Sequence, residues 1–311
     1  MSICFLFPGQ GSQSPGMLKR LPQHPAKEST FRQANEILGR DVSELDSEAA
    51  LESTIAVQLS LFIAGVAAAR VLEAEEVIPA AVAGLSVGAF AAAVVCKSLA
   101  FADGIAVVEQ RAQLMETSFP SGYGMAAIVG LTEQKVAELV NSFYEQSAPV
   151  FVSNINAPRQ ITISGALQGI EKVAEAALKC GARKAERLHI AVPSHCPLFQ
   201  AAAETLQETL KQVNVDNPSI PYVSNVRARR LRTAKSVAED LANNIAHGVR
   251  WHDSISLLTE LGTDIFVEMN PGNVLSRLGS ESFPHLCFIA LEDSSPAYVS
   301  RLAHYRQNLM S

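Results

Sequence analysis

Basic excess is missing from this sequence: 25 lysines and arginines stand against 31 aspartates and glutamates, a formal net charge of -6. That balance removes the broad electrostatic footprint that nucleic acid or an anionic membrane attracts, and leaves a small molecule or another protein as the expected partner. Paired cysteines are missing too. Cys4, Cys96, Cys180, Cys196 and Cys287 are odd in number and scattered, which excludes a disulfide framework and C-x-x-C zinc knuckles and points to reduced thiols in the cytoplasm. No H-E-x-x-H occurs, and His247 and His252 are five apart, so no metal is expected. Met1 to Pro8 has no basic n-region and its apolar run is cut by Pro8 and Gly9, so it reads as a first buried strand rather than a secretory signal. Val77 to Cys96 carries no charge and is long enough to suggest a membrane span. Pro79, Gly84, Ser86 and Gly88 punctuate it, however, and predict a short buried strand, a tight turn and a small-residue helix inside a globular core.

What is present is a chain of 311 residues, 48% apolar and 6% aromatic, enough for one large domain or one domain carrying an insert. Strand-like and helix-like segments alternate, the pattern of an α/β protein with a largely parallel sheet. Ile3 to Phe7 is the first strand. Helices are expected at Ser29 to Leu38 and Thr54 to Leu72, the second apolar all round and therefore buried. Between Met125 and Ile190 the order becomes strand, helix, strand, strand, helix, strand: Met125–Val129, Glu133–Gln146, Val150–Asn154, Gln160–Ser164, Ile170–Cys180 and Ala185–Ile190. That is the split βαβ, or ferredoxin-like, unit. The expected organisation is thus a large domain of residues 1–124 and 191–311 interrupted by a small domain of residues 125–190. Helix Pro197–Val213, strand Tyr222–Asn225, helices Ala234–Ile245 and Trp251–Leu261 and strand Asp264–Glu268 return the chain to the main sheet.

Gly84-Leu85-Ser86-Val87-Gly88 is a G-x-S-x-G pattern where a buried strand ends and a helix begins, the context that the motif requires. Two glycines allow a sharp turn that lifts the Ser86 hydroxyl out of the sheet, and the helix start aims the Val87 N–H and a positive dipole end at the same spot. Ser86 is a candidate nucleophile. Phe7-Pro-Gly-Gln-Gly-Ser-Gln13 follows the first strand but fits neither a P-loop nor a dinucleotide fingerprint. It leaves a backbone able to bend close to a ligand, with Gln10 as a donor for an oxyanion cradle. A serine nucleophile needs a base, and of the seven histidines His195 stands out, in a proline-flanked loop, Val192-Pro-Ser-His-Cys-Pro197, at the domain boundary.

Those motifs, with Arg111 in Arg-Ala-Gln-Leu-Met115, Gly124-Met-Ala-Ala-Ile128, Asn156-Ala-Pro158 and Pro271-Gly-Asn-Val-Leu275, fall in the order found in malonyl-CoA:acyl carrier protein transacylases, and the resemblance covers almost the whole chain. It implies an α/β-hydrolase-like large domain with a parallel sheet and the inserted ferredoxin-like small domain. It also implies that Ser86 is acylated, that His195 is its base, and that Gln10 and the Val87 N–H form the oxyanion hole. Arg111 would hold the free malonyl carboxylate, and Asn244, ahead of Trp251, would orient His195 through its amide or backbone carbonyl. No cofactor would be bound permanently. Malonyl-CoA, a coenzyme A thioester, would be the donor, and a pantetheine-type arm on an acyl carrier protein the acceptor.

Two positions depart from the usual G-H-S-x-G-E of the fatty-acid enzymes: Leu85 replaces the histidine and Ala89 the glutamate. Gly-Leu-Ser-Val-Gly-Ala-Phe is similar instead to the epsilon subunit of malonate decarboxylase, which implies a transacylase that loads the complex's own carrier subunit and has other decarboxylase subunits as partners. The alternatives are the housekeeping transacylase of fatty-acid synthesis, a serine esterase or thioesterase, and a non-catalytic subunit. Arg227-Ala-Arg-Arg-Leu-Arg232 is either a solvated loop or a dock for an acidic carrier or coenzyme A phosphates.

Overall fold

Ten strands occur among the residues that the computed structural model describes, 2–119 and 121–308, with side chains described to residue 305 in the last helix. The outer limits 1 and 311 of the expected large domain lie outside them. In chain order the strands are β1 Ile3–Phe7, β2 Ala81–Gly84, β3 Tyr123–Val129, β4 Val150–Ala157, β5 Gln160–Ala166, β6 Lys184–Arg187, β7 Tyr222–Val223, β8 Arg230–Leu231, β9 Ile265–Glu268 and β10 Cys287–Ala290. Six of them form the main sheet in the order β10-β9-β1-β2-β7-β8, parallel throughout except for β8. β1 (ICFLF), β2 (AVAG) and β9 (IFVE) are buried at every position. Continuous apolar strands of this kind are required where both faces of a parallel sheet are covered.

One face is covered by helices Thr54–Ala74, Gly88–Val95 and Phe101–Ser118, which with Phe5, Phe7 and Val82 make the largest core cluster. Helix Thr54–Ala74 starts where the Ser53 hydroxyl accepts from the Ile55 N–H, the usual N-cap contact. Among the described residues it is the one helix long and apolar enough to cross a membrane, and 89% of its most apolar window is buried inside the protein. The other face packs Trp251, Ile255, Phe266 and Leu275 against Cys4, Leu6 and Ala83.

The second sheet, β4-β5-β3-β6, is antiparallel and has its own core, with Ile128, Ile161 and Ile163 meeting Val136 and Val173 from helices Glu133–Phe143 and Leu167–Lys179. This β-α-β-β-α-β unit is the ferredoxin-like insert. Its first strand begins at Tyr123, two residues before the expected start, because Gly124 extends the strand without adding any apolar signal. Its last strand ends at Arg187 rather than Ile190. The seam between the units is hydrogen-bonded backbone: the Val249 N–H donates to the Ser153 carbonyl (3.0 Å) and the Ile155 N–H to the Val249 carbonyl (2.8 Å).

Several elements went unread in the sequence. Helix Phe101–Ser118, which carries Arg111, helix Val274–Ser282, β10 and helix Pro296–Asn308 all lie where the apolar signal is short or mixed. The basic stretch contributes a two-residue edge strand, β8, paired antiparallel with β7.

Candidate active site

Register decides the location of the site. Phe7 pairs with Gly84 across β1 and β2, so the loops leaving these two parallel strands start side by side, at the carboxyl edge where open α/β sheets bind ligands. Contact at this edge is tight enough to demand glycine. A Cβ on Gly84 would lie 2.1 Å from the Gly88 carbonyl carbon, and one on Gly88 would lie 2.2 Å from the Phe7 carbonyl oxygen. A Cβ on Gly9 would meet the Leu85 carbonyl at 2.7 Å, which puts the Gln10 loop directly against the Ser86 turn. Ser86 itself has φ 57°, a left-handed conformation that non-glycine residues adopt at a cost of about 1–3 kcal/mol. Helix Gly88–Val95 follows immediately, with Val87 at its N-cap, so the Val87 N–H is one of the donors that helix geometry leaves without an intrahelical acceptor.

His195 reaches Ser86 from 109 residues away: its Nε2 lies 2.8 Å from Ser86 Oγ. The His195 Nδ1–H donates to the Asn244 backbone carbonyl, and the His195 backbone N–H to the Ile245 carbonyl at 2.8 Å. With Nδ1 protonated, the Nε2 lone pair faces the serine hydroxyl, the arrangement a general base needs. Burial, followed by the nearby Arg111 cation, pushes the His195 imidazole down to about 4, so it is neutral at pH 7. The chain again takes a left-handed turn, φ 63° at His195, within the loop whose prolines drew attention in the sequence.

Arg111 is fully buried. It donates to Ser86 Oγ at 3.2 Å, to the Gln58 side-chain carbonyl at 2.6 Å and to Asn244 Oδ1 at 3.4 Å, while its Nε has no hydrogen-bond partner. No carboxylate pairs with it among the described residues, and burial alone pushes the guanidinium down to about 9. A buried, unpaired cation costs several kcal/mol, so this one is set up to receive an anion that the protein does not supply.

Of the six residues singled out, Ser86, His195, Arg111 and Asn244 are joined by direct hydrogen bonds. It is the Asn244 carbonyl that meets His195; its side chain bridges Arg111 and, at 3.4 Å, the Ser86 carbonyl. Gln10 is half-buried beside the turn, and its side chain makes no hydrogen bond among the described residues. Two contributors escaped sequence reasoning. Gln58 braces Arg111 from helix Thr54–Ala74, and Asn225 grips the Ser86 turn. Asn225 did carry a signal, a polar pair at the carboxyl end of a predicted parallel strand, whereas Gln58 is one polar residue in an apolar helix.

A serine lifted from a strand–turn–helix junction, an oriented neutral imidazole and the Val87 N–H at a helix start form an arrangement suited to acyl transfer through serine. Comparison with known proteins agrees. Residues 4–303 match the acyl transferase domain family. The malonyl CoA-acyl carrier protein transacylase of Bacillus subtilis is 34% identical over 296 residues, 94% of this chain and 93% of that protein. The solved transacylase of the same name from Coxiella burnetii superposes with a TM-score of 0.90 at 33% identity, covering 94% of each chain. A malonyl-transacylase solved in complex with its type II polyketide-synthase acyl-carrier protein superposes with a TM-score of 0.91 at 31% identity, covering 96% of this chain and 99% of that one. The chain therefore belongs to the malonyl CoA-acyl carrier protein transacylase family of acyltransferases. These relatives bear the transacylase name, whereas the malonate decarboxylase epsilon subunit was suggested by residues 84–90 alone, so the comparison favours the general transacylase.

Proposed function

We propose that this enzyme moves malonyl from malonyl-CoA to the pantetheine-type thiol of an acyl carrier protein through a malonyl-Ser86 intermediate, in the manner of the fatty-acid transacylases. The observation that carries the reading is Arg111, buried without a carboxylate and within hydrogen-bond range of Ser86 Oγ. In a malonyl group the free carboxylate stands one methylene from the thioester carbon, so a guanidinium this close to the nucleophile suits a three-carbon diacid. A neutral acyl chain would leave the guanidinium unpaired, which counts against the esterase reading.

His195 Nε2 takes the Ser86 proton as Oγ attacks the thioester carbon. The Val87 N–H and Gln10 receive the oxyanion, each such donor typically contributing about 10²–10³ in rate. The C–S bond then breaks, the imidazolium returns its proton to the departing coenzyme A thiolate, and malonyl-Ser86 remains. The carrier's thiol gives up its proton to His195 and attacks the ester, the acyl–Oγ bond breaks, the imidazolium returns the proton to Ser86 Oγ, and the carrier leaves with the malonyl group, a ping-pong sequence. Asn244 orients the base by its carbonyl throughout. No resident cofactor has a step in this chemistry. The cytoplasm is the compartment on the same reading, supported by the odd number and scattered positions of the five cysteines.

Arg227, Arg229, Arg230 and Arg232 are exposed and in no ion pair among the described residues, and they begin two residues after Asn225 beside the Ser86 turn. This supports docking of an acidic carrier there. Exchanging the four for glutamate raises the KM for carrier protein and leaves malonyl loading unchanged; an unaltered KM retires the dock.

The test of the whole reading is intact mass after exposure to malonyl-CoA. A malonyl adduct forms, is absent in Ser86→Ala, is weak with acetyl-CoA, and is discharged by a pantetheinylated carrier protein. Absence of any adduct overturns the proposal. Discharge by the carrier subunit of a malonate decarboxylase, and not by a fatty-acid carrier, would restore the decarboxylase-subunit reading.

A further inference from the structure

The glycines around Ser86 permit its turn but do not hold it. Asn225 does: its Oδ1 accepts from the Ser86 N–H at 2.9 Å while its Nδ2 donates to the Gly84 carbonyl at 2.8 Å. One planar amide therefore fixes both ends of the turn that keeps Ser86 in its left-handed conformation. Asn225 is only 3% exposed and is itself gripped on two sides. Its backbone N–H donates to Asp240 Oδ2 at 3.2 Å, and its carbonyl accepts from the Arg250 N–H at 2.8 Å. Asp240 is buried and further held by the Ser224 and Tyr222 hydroxyls. Arg250 ends the segment whose first residues, Asn244 and Ile245, accept the two hydrogen bonds from His195, and whose Val249 pairs with the small-domain strand β4.

We propose that Asn225 is a positioning residue for acyl transfer, an amide clamp that holds Ser86 Oγ on His195 Nε2 and ties the nucleophile to the 244–250 segment that orients the base. The inference rests on the transacylase reading above and extends it to a residue that touches neither malonyl nor thiol.

The test pairs two variants with two readouts. In Asn225→Ala the rate constant of malonyl-Ser86 formation, followed by quenched-flow mass measurement, falls about 10²-fold, the scale of a misplaced reacting group, while the KM for malonyl-CoA changes less than about threefold. Amide exchange in the peptide spanning residues 84–88 rises by the same order. Asn225→Asp preserves shape and the acceptor for the Ser86 N–H but sets a carboxylate against the Gly84 carbonyl. Its loading rate is depressed at pH 7 and recovers relative to wild type as pH falls and the carboxyl regains a proton to donate. A wild-type rate constant in the folded fraction of either variant, or unchanged exchange at 84–88, overturns the clamp. Should wild-type protein form no malonyl adduct, the transacylase reading fails, and exchange at 84–88 still decides whether Asn225 holds the turn.

Discussion

Two arginines at opposite ends of the active-site machinery are treated in opposite ways. Arg250, at the seam between the domains, is 39% exposed on its side chain and pairs with Glu133 at 3.1 Å and with Asp253 at 2.5 Å; its hydrogen bonds to Glu133 hold its guanidinium above the ordinary range. Arg111, beside Ser86, is wholly buried, meets only neutral partners, and is pushed down to about 9. A charge that serves the scaffold is given its counter-ion where water can share the load. The charge proposed to receive a ligand is desolvated in advance and left unpaired, which suits a carboxylate that would supply the missing interaction. The difference between the two is physical evidence about role that no motif carries.

Breaking the comparison at its buried end has the largest effect. In Arg111→Ala, kcat/KM for malonyl-CoA falls by about 10²–10⁴, corresponding to about 3–5 kcal/mol for one partner lost from a buried pair, and preference over acetyl-CoA in a competition assay collapses. Preserved selectivity would sink the carboxylate-receptor role.

Titration sharpens the same contrast. kcat/KM for malonyl-CoA declines up to about tenfold per pH unit on the acid side, as free-enzyme His195 gains a proton near about 4, while the Arg111 guanidinium keeps its charge throughout. His195 also bears on stability. Its folded value of about 4 lies below the ordinary 6.5, so the unfolded chain binds more protons between these values. Its contribution is complete above about 6.5, is lost as pH falls toward about 4, and levels off below that. Urea midpoints measured across that window fall more steeply with acid in wild type than in His195→Gln, the difference between the two slopes being the His195 contribution.

Asn244→Ala removes the side-chain contacts to Arg111 and to the Ser86 carbonyl but retains the backbone carbonyl that orients His195, so loading slows by less than about tenfold. A loss as large as that of His195→Ala would mean that the side chain, not the carbonyl, does the orienting. Smallest of all is Glu133→Gln at the exposed end: an exposed pair contributes about 0.2–1 kcal/mol, and a change within that range in the unfolding free energy is expected. A greater loss would mean that the seam depends on this ion pair rather than on the backbone bonds of Val249.

Much of the architecture was readable because it is locally encoded. The all-apolar β1, the strand–turn–helix at Gly84–Gly88 and the β-α-β-β-α-β order of the small domain each follow from periodicity and turn chemistry over fewer than about twenty residues at a time. Helix Phe101–Ser118 was not read as an element, since its apolar positions are interrupted by Asp103, Glu109 and Gln110. Nothing in the local pattern around Arg111 distinguishes it, and it enters the reading only through the resemblance to a known family. Asn225 and Gln58 were passed over because what each does depends on a partner 139 or 53 residues away.

Taken alone, the order of residues determined the class of fold and singled out Ser86 as a candidate nucleophile and His195 as a candidate base, because G-x-S-x-G at a strand end and a proline-bound histidine loop are short-range patterns. Tertiary structure decided that Arg111 is buried without a counter-ion, that the Asn244 carbonyl rather than its amide meets His195, and that Asn225 clamps the serine turn. Desolvation and hydrogen-bond geometry arise only when distant segments are packed together, and no local pattern of residues specifies them.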